Sequence, residues 1–526
     1  MKRGLILLSI FLLIAMAIYA GGGAQSTSQG TPVLRGFAFV NARLVSSVSN
    51  FNEIWAFQEA ERATGVRVNW IHPPVGQDTE QANLMIASGD LPDFMYMNYN
   101  NLGGLPKLLA DETIITLNQY YDEGKIPGYR AIMERYPDVR RQLLMDDGTL
   151  AGFFMLRIRD FQGQLGWFSN GGIVIRKDWL DSLNLAAPTT VAEFEQMLRI
   201  FKERMPAITG RSDIIPLATS GTEWGGWAQF WGLADDFFDL NGTAKYGPME
   251  PAYRNFIETF ARWHRDGLIE PDWTNIDQRA FQARFLENRA GAALTNAGTS
   301  GTLLDIMRDT IPNADFLGIQ NLKNAADGRV YSTLLDLRQS FVNEASMITS
   351  DNRNIDATLK YLDWGYTTAG FEAFNWGQPG VSYTVRADGA KFFTDIVTNH
   401  PDGFPFDRAL GLFSMAMNQW SIPKDPEYWP QATLRFHYQH VAIDEWGKVD
   451  NAIAMPPISR TAEEARRFSQ IMNDVTTLKN ETITRIILGV EPISALDTMA
   501  SRLRSMGIDE AIQIQQAALS RYYARR

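Results

Sequence analysis

The sequence contains no cysteine. That excludes disulfides, thiol catalysis, cysteine-ligated zinc and any lipid carried on an amino-terminal cysteine. Histidine is nearly as scarce: His72, His264, His400, His437 and His440 are all there are. Two of them stand at i and i+3 in "HYQH", near enough to share a metal on a helix, but no third ligand adjoins them and no metal is expected. G-x-S-x-G, H-E-x-x-H, the P-loop and G-x-G-x-x-G are all missing, so the chain carries none of the common hydrolase, metalloprotease or nucleotide-binding signatures, and no cofactor is expected. Basic residues are outnumbered, 49 against 60, and the formal charge is -11, which makes the chain a poor general ligand for nucleic acid or anionic membrane. Beyond the first turns of chain, no apolar run approaches the roughly 20 residues that a membrane-spanning helix needs.

The one long apolar run opens the chain. "MKRGLILLSIFLLIAMAIYAGGGAQSTSQG" has two basic residues, an apolar stretch from Leu5 to Ala20, and then small and polar residues, the layout of a secretory signal. The expected division is a signal peptide at 1–20 and a flexible tether at 21–30, with cleavage after Ala20 or Ala24, or an uncleaved leader kept as an anchor. Losing Lys2 and Arg3 with the leader moves the charge from -11 to -13. The remaining length exceeds what one core usually serves, so at least two globular units are expected.

Patterning supports two α/β blocks. "RGFAFVN" and "GVRVNWIH" alternate with period two around a helical stretch, and "DTEQANLMIASGD" leads into "LPDFMYMNYN"; strand, helix, strand, helix, strand predicts an open parallel sheet. Asp147-Gly148 predicts a hairpin near residue 150. In the second block, "GGIVIR" reads as a strand, and Thr190 with Glu193 reads as the capping box of a helix whose apolar stripe is Val191, Phe194, Leu198 and Phe201. A further helix opens at Pro251, places Tyr253, Phe256, Phe260 and Trp263 on one face, and stops at Gly267. "NRAGAALTNAGT" reads as a buried strand, the region 398–432 as a structured excursion, and the carboxyl end as helix broken at Gly507.

Several segments together resemble the extracellular solute-binding proteins of ABC importers, family 1, in the subgroup of oligosaccharide and alginate binders. They are "MIASGDLPDFMYMN", "DDGTLAGFF", "GGIVIRKDWLDSLNLAAPTTVAEFEQMLRIFKE", "ARWHRDGLIEPDW", "NRAGAAL" and the helical segment 483–523, in that order. The resemblance implies a two-lobed α/β periplasmic-binding-protein fold of type II, with a ligand cleft between lobes joined by crossing strands. It places lobe I at 31–152 plus 292–338 and lobe II at 153–291 plus 339–526. The crossings would lie near 150, in "AGAALTN", and near "LLDLRQSFVNEAS". It implies a non-enzymatic, exported monomer, periplasmic or at the cell surface, that hands an oligosaccharide or related polar solute to the permease subunits of an importer. Relatives often carry an acidic calcium-binding loop after the helix at 191–204; here "MPAITGRSDIIPL" has Asp213 as its only acid, so no calcium is expected.

A sugar has an apolar face and a polar rim, so its site should pair aromatic faces with amide, carboxylate and guanidinium groups. In open α/β sheets the cleft lies beyond the carboxyl ends of strands, which points to Asn41, Tyr96, Asn98 and Asn296. Trp224 and Trp227 in "TEWGGWAQFWG" and Trp376 in "FNWGQPG" are candidate platforms, each with a competing reading as core. The paired glycines after Trp224 argue for a loop there, with Trp227 in a first turn and Trp231 in the core. Arg338, in a crossing segment, is either a ligand clamp or an interlobe salt bridge. An exported glycosidase or polysaccharide lyase is the alternative reading, since two carboxylates across a cleft suffice for that chemistry; a surface scaffold or sensor partner is a third.

Overall fold

The structure, a computed structural model, describes residues 31–41, 44, 48–161, 164–166, 169–221, 223–334, 337–416 and 420–525. The expected leader and tether lie outside them. Among the described residues no helix is long and apolar enough to cross a membrane.

The first block forms as its periodicity dictates. Strand β1 (Val33–Ala38), helix Trp55–Thr64, strand β2 (Arg67–Ile71), helix Asp78–Ser88 and strand β3 (Phe94–Asn98) follow one another, and β1 pairs in parallel with both β2 and β3. Both helices end on a left-handed glycine, Gly65 at φ 66° and Gly89 at φ 71°, a conformation that costs glycine nothing and turns the chain back into the sheet. The Asp147-Gly148 turn is present and leads into β4 (Phe153–Arg157), although a helix, Pro137–Leu143, precedes it.

The second block starts at β5 (Gly171–Arg176). Helix Val191–Thr209 is capped by Thr190, whose Oγ1 accepts from the Glu193 amide at 3.2 Å; the Glu193 carboxylate reaches one residue further back, to the amide and hydroxyl of Thr189, both at 2.8 Å. Strands β6 (Ile215–Ala218), β7 (Ala290–Asn296) and β8 (Phe316–Ile319) complete this sheet in the order β8-β5-β7-β6, with β5 antiparallel to β7 and β8 and β6 parallel to β7. Helix Pro251–Arg265 buries Tyr253, Phe256, Phe260 and Trp263 as its spacing requires. It is tied to the 191–209 helix through Glu195, which accepts from Arg262 at 2.6 Å, from Trp263 Nε1 at 2.9 Å and from Arg199 at 2.7 Å. Burial alone would raise the pKa of Glu195; these donors outweigh it and bring the pKa down to about 2.

The chain then returns. Strand β9 (Phe341–Ile348) enters the first sheet between β3 and β4, antiparallel to both, and β10 (Pro423–Lys424) adds beyond β4, giving the order β10-β4-β9-β3-β1-β2. The first sheet is therefore mixed rather than parallel, because β9 arrives from the opposite end after a passage through the other lobe. The lobe boundaries are corrected with it. Residues 290–319, expected to straddle the lobes from 292, belong to the second sheet, and the chain from 341 to about 424, expected in lobe II, packs in lobe I; the strand "AGAALTN" pairs on both edges within the second sheet and crosses nothing. The buried side chains divide the same way. One core holds Leu34 through Leu156 with Phe341 to Phe374 and Trp420, and another holds Ile173 through Tyr331 with Leu434 to Ala511. A satellite cluster around Trp376 lies in the 376–428 excursion.

The carboxyl end is helical and breaks at Gly507 between Ala495–Ser505 and Ile508–Ala524. It bridges the lobes: Asp146 of lobe I accepts from Arg521 Nε at 2.6 Å and from Arg525 Nη2 at 2.6 Å. Asp146→Ala leaves the Arg525 guanidinium, 2% exposed, without its carboxylate. The expected loss is about 3 kcal/mol, read from urea unfolding, against less than about 1 kcal/mol for breaking an exposed pair with Asp497→Ala.

Candidate functional site

The lobe I part of the site is the end of the first sheet where β1 and β3 finish and β9 begins. Tyr96 pairs in the sheet with Ala38 and Ser346, its ring stacked on Phe39 at 5.9 Å between centroids and tilted against Trp420 at 5.1 Å. The ring is buried, and its hydroxyl donates to Glu344 Oε2 at 3.3 Å. Glu344 stands opposite Asn98 in the register, at the sheet's end. Burial raises its pKa against the Tyr96 hydrogen bond and the charges of Arg157 and Lys424. Beside it, the Tyr99 hydroxyl donates to Asn343 Oδ1 at 3.1 Å. Asn98 itself is a strand-end cap, its side chain accepting from the Asn100 amide at 3.1 Å. Asn41 is half-buried just past β1, with its carbonyl accepting from the Leu44 amide at 2.8 Å.

The lobe II part is a pocket of about 290 Å³ at the carboxyl end of β7. Leu294, Thr295 and Asn296 form one wall, and Gly171 and Gly172 of the paired β5 form its floor. The 3-10 helix Trp224–Trp231 contributes Gly226 and Gln229, with Glu223 just before it; helix Gln278–Leu286 contributes Gln278 and Phe281. The crossing segment closes it with Thr333 and Leu334. Gly226 makes room here: a Cβ would lie 2.7 Å from Leu294 Cδ2, so the leucine side chain would have to shift. Gln229 Oε1 is fixed by the Asn321 side-chain amide at 3.1 Å and the Thr333 amide at 3.2 Å, which ties the pocket wall to the crossing. Asn296, exposed at the rim, caps helix Ala297–Met307 by accepting from the Thr299 amide at 2.7 Å.

The tryptophans are placed differently from expectation. Trp224 is not in a loop. It starts the 3-10 helix, is 8% exposed, and lies face to face on Phe256 at 5.7 Å with Trp273 edge-on at 5.8 Å. Trp227 is fully buried against Phe194 at 5.2 Å, and its Nε1 has no partner. Trp231, expected in the core, is the half-buried one. The glycine pair does not interrupt the helix; it lets the helix approach Asp235 and Leu294 closely, so that a Cβ at either position would make those side chains shift. Trp376 ends helix Thr368–Trp376 and is also fully buried, stacked on Phe393 at 4.8 Å and donating to Asp425 Oδ2 at 2.7 Å. The turn expected after it exists, but the indole packs beneath that turn.

Arg338, in the crossing segment, is anchored to the second lobe and the carboxyl-terminal helix. Its guanidinium donates to Asp239 Oδ2 at 2.8 Å, the Ala454 carbonyl at 2.7 Å and the Tyr523 hydroxyl at 2.7 Å, beside a separate polar cavity of about 600 Å³ at the crossings. In the 205–217 segment, Asp213 is paired with Arg211 at 2.9 Å and Arg289 at 3.0 Å. His437 and His440 are exposed, and no group of three acidic or imidazole side chains among the described residues is arranged to hold a metal.

Of the eight expected residues, the structure brings Tyr96 and Asn98 together with Asn41 at one sheet end and puts Asn296 on the pocket rim; the three indoles and Arg338 are built into cores or the hinge. Sequence reasoning missed Glu344, Glu223, Gln229, Gln278 and Thr333. The strand-end rule could not find Glu344, because β9 is antiparallel and presents its beginning, not its end, to the site.

Known proteins share this architecture. The family model of bacterial extracellular solute-binding proteins matches residues 46–370, and the chain belongs to that family. It is 23% identical over 391 residues to the fructooligosaccharide ABC transporter substrate-binding protein FusA of Streptococcus pneumoniae, covering 71% of this chain and 70% of that protein. It is 21% identical over 520 residues to the lipoprotein LipO of Bacillus subtilis, covering 96% and 94%. The fold superposes with a TM-score of 0.75 on an HMO-binding solute-binding protein of Bifidobacterium longum infantis, at 16% identity over 95% of this chain and 100% of that one.

Two outcomes follow. Trp224→Ala removes a core indole and lowers the stability of the unliganded protein by about 3 to 5 kcal/mol in urea unfolding, where a loop platform would leave it unchanged. Lys424 is buried with Nζ donating to the Met415 carbonyl at 2.7 Å, and burial, helped by Arg157 and opposed by Glu344, lowers its pKa to about 7. The unfolded chain keeps the lysine proton up to about pH 10.4, so above pH 7 it binds more protons than the folded one and stability rises with pH. Measured against Lys424→Met, the wild type should gain up to about 1.4 kcal/mol per pH unit between pH 7.5 and 9.5.

Proposed function

We propose that this solute-binding protein captures an oligosaccharide between its two lobes and delivers it to the permease of an ABC importer. The observation that carries the reading is the pocket at the carboxyl end of β7: glycine-floored, lined by amide and hydroxyl side chains, and closed by a crossing segment. Such a lining suits sugar hydroxyls, each of which would cost roughly 1 to 3 kcal/mol if buried without a partner. The lobe I edge carrying Tyr96, Glu344 and Asn343 supplies the opposing acceptors. Because Thr333 and Leu334 belong both to the pocket and to the passage between lobes, a bound solute is positioned to favour the closed arrangement over the open one. Binding and closure are the whole mechanism and no bond is broken. The relatives named for oligosaccharide transport support the solute class.

The experiment is a thermal-shift and calorimetric screen of the purified protein against oligosaccharides, with reducing ends assayed in parallel. Saturable binding without new reducing ends is expected; turnover would identify an enzyme instead. Gln278 is exposed at the pocket and makes no hydrogen bond among the described residues, so Gln278→Ala should weaken the bound oligosaccharide about tenfold while leaving the melting temperature of the free protein in place.

A further inference from the structure

We propose that the site selects neutral saccharides over uronates by charge, with Glu223 as the discriminating residue. This rests on the reading that the lobe II pocket holds a saccharide, and it adds which chemical class is admitted.

Among the described residues the pocket lining contains one ionisable side chain, Glu223, and no lysine, arginine or histidine. The remaining polar groups are the amides of Gln229, Gln278 and Asn296 and the hydroxyls of Thr295 and Thr333. Among the described residues the exposed Glu223 carboxylate accepts no hydrogen bond and lies in no ion pair, and partial desolvation pushes its pKa upward. Both oxygens are therefore available to a ligand. A carboxylate only accepts, and it can take a proton from each of two neighbouring sugar hydroxyls. A uronate brings its own ionised carboxylate, which offers no donor and repels Glu223 at the pocket.

The cations of the lobe I edge do not reverse this. The Lys424 ammonium is buried and spent on the Met415 and Ala416 carbonyls, and the charge of Arg157 is balanced by Glu344, whose carboxyl it acts on. The nearest cation in sequence to the pocket, Arg279, follows Gln278 on an exposed helix surface and is not part of the lining. A site built for uronates would set a guanidinium against the carboxylate, as bidentate geometry favours. This pocket sets a carboxylate there instead.

The test is calorimetric titration of the full protein with neutral tri- to pentasaccharides and with oligogalacturonates of the same lengths, at neutral pH, for the wild type and Glu223→Gln. The expected result is saturable binding of at least one neutral saccharide, with every uronate at least about tenfold weaker. In Glu223→Gln, that gap should narrow at least about fivefold, with the melting temperature of the free protein unchanged. A uronate that binds the wild type more tightly than every neutral saccharide overturns the charge selection while leaving saccharide capture intact. An unchanged gap in Glu223→Gln overturns the role given to Glu223. If neither class binds, saccharide capture itself is overturned, and the selection with it.

Discussion

The pairing of β9 with β3 on one side and β4 on the other is the constraint on which the molecule depends. Lobe I cannot complete its sheet from its own contiguous sequence, since the strand that joins β3 to β4 is made only after the chain has left at Arg157, built the second sheet and returned at Phe341. The two lobes are thereby locked into one topology while each keeps a separate core. The chain passes from one to the other after β4 and returns before β9. Arg338 and the Asp146 pairings with Arg521 and Arg525 brace that junction from outside the pocket. Every one of these contacts is long-range in sequence, which makes late assembly of lobe I the expected order of folding.

Given that frame, the aromatic residues are committed before a ligand arrives. Phe256, Phe260, Trp263, Trp227 and Trp224 form one continuous aromatic cluster that holds the 3-10 helix against helix Pro251–Arg265. In lobe I, Phe51, Phe57, Trp70 and Trp420 do the same around β1 and β2. A large ring gains more from burial on both faces than from offering one face to water. What remains at the site is polar and small: glycines that make room, amides that can both donate and accept, and carboxylates held by a single hydrogen bond or none. The two lobes contribute unlike chemistry, with a tyrosine-supported carboxylate near cations on one side and an isolated carboxylate among amides on the other.

Much of the architecture was legible in the residues. Period two followed by period 3.6 located β1, β2, β3 and the helices between them, and the spacing of Tyr253, Phe256, Phe260 and Trp263 gave the buried face of its helix because a 3.6-residue turn admits one such stripe. Gly507 marked the break between the terminal helices. The lobe boundaries were not legible in full. "AGAALTN" reads as a buried strand in any sheet, and nothing local says which sheet it enters.

The sequence by itself determined the element types, the acidity, the lack of cysteine and the family resemblance, because these follow from residue identity and short-range periodicity. Only the tertiary structure decided which residues meet at the site. Tryptophans three apart look alike until a neighbouring helix covers one face, and a glutamate at the start of an antiparallel strand becomes a site residue only when parallel strands from elsewhere end beside it. Glu344 and Glu223 owe their character to desolvation and to the distance of counter-charges, quantities set by packing across the fold and absent from any local stretch of chain.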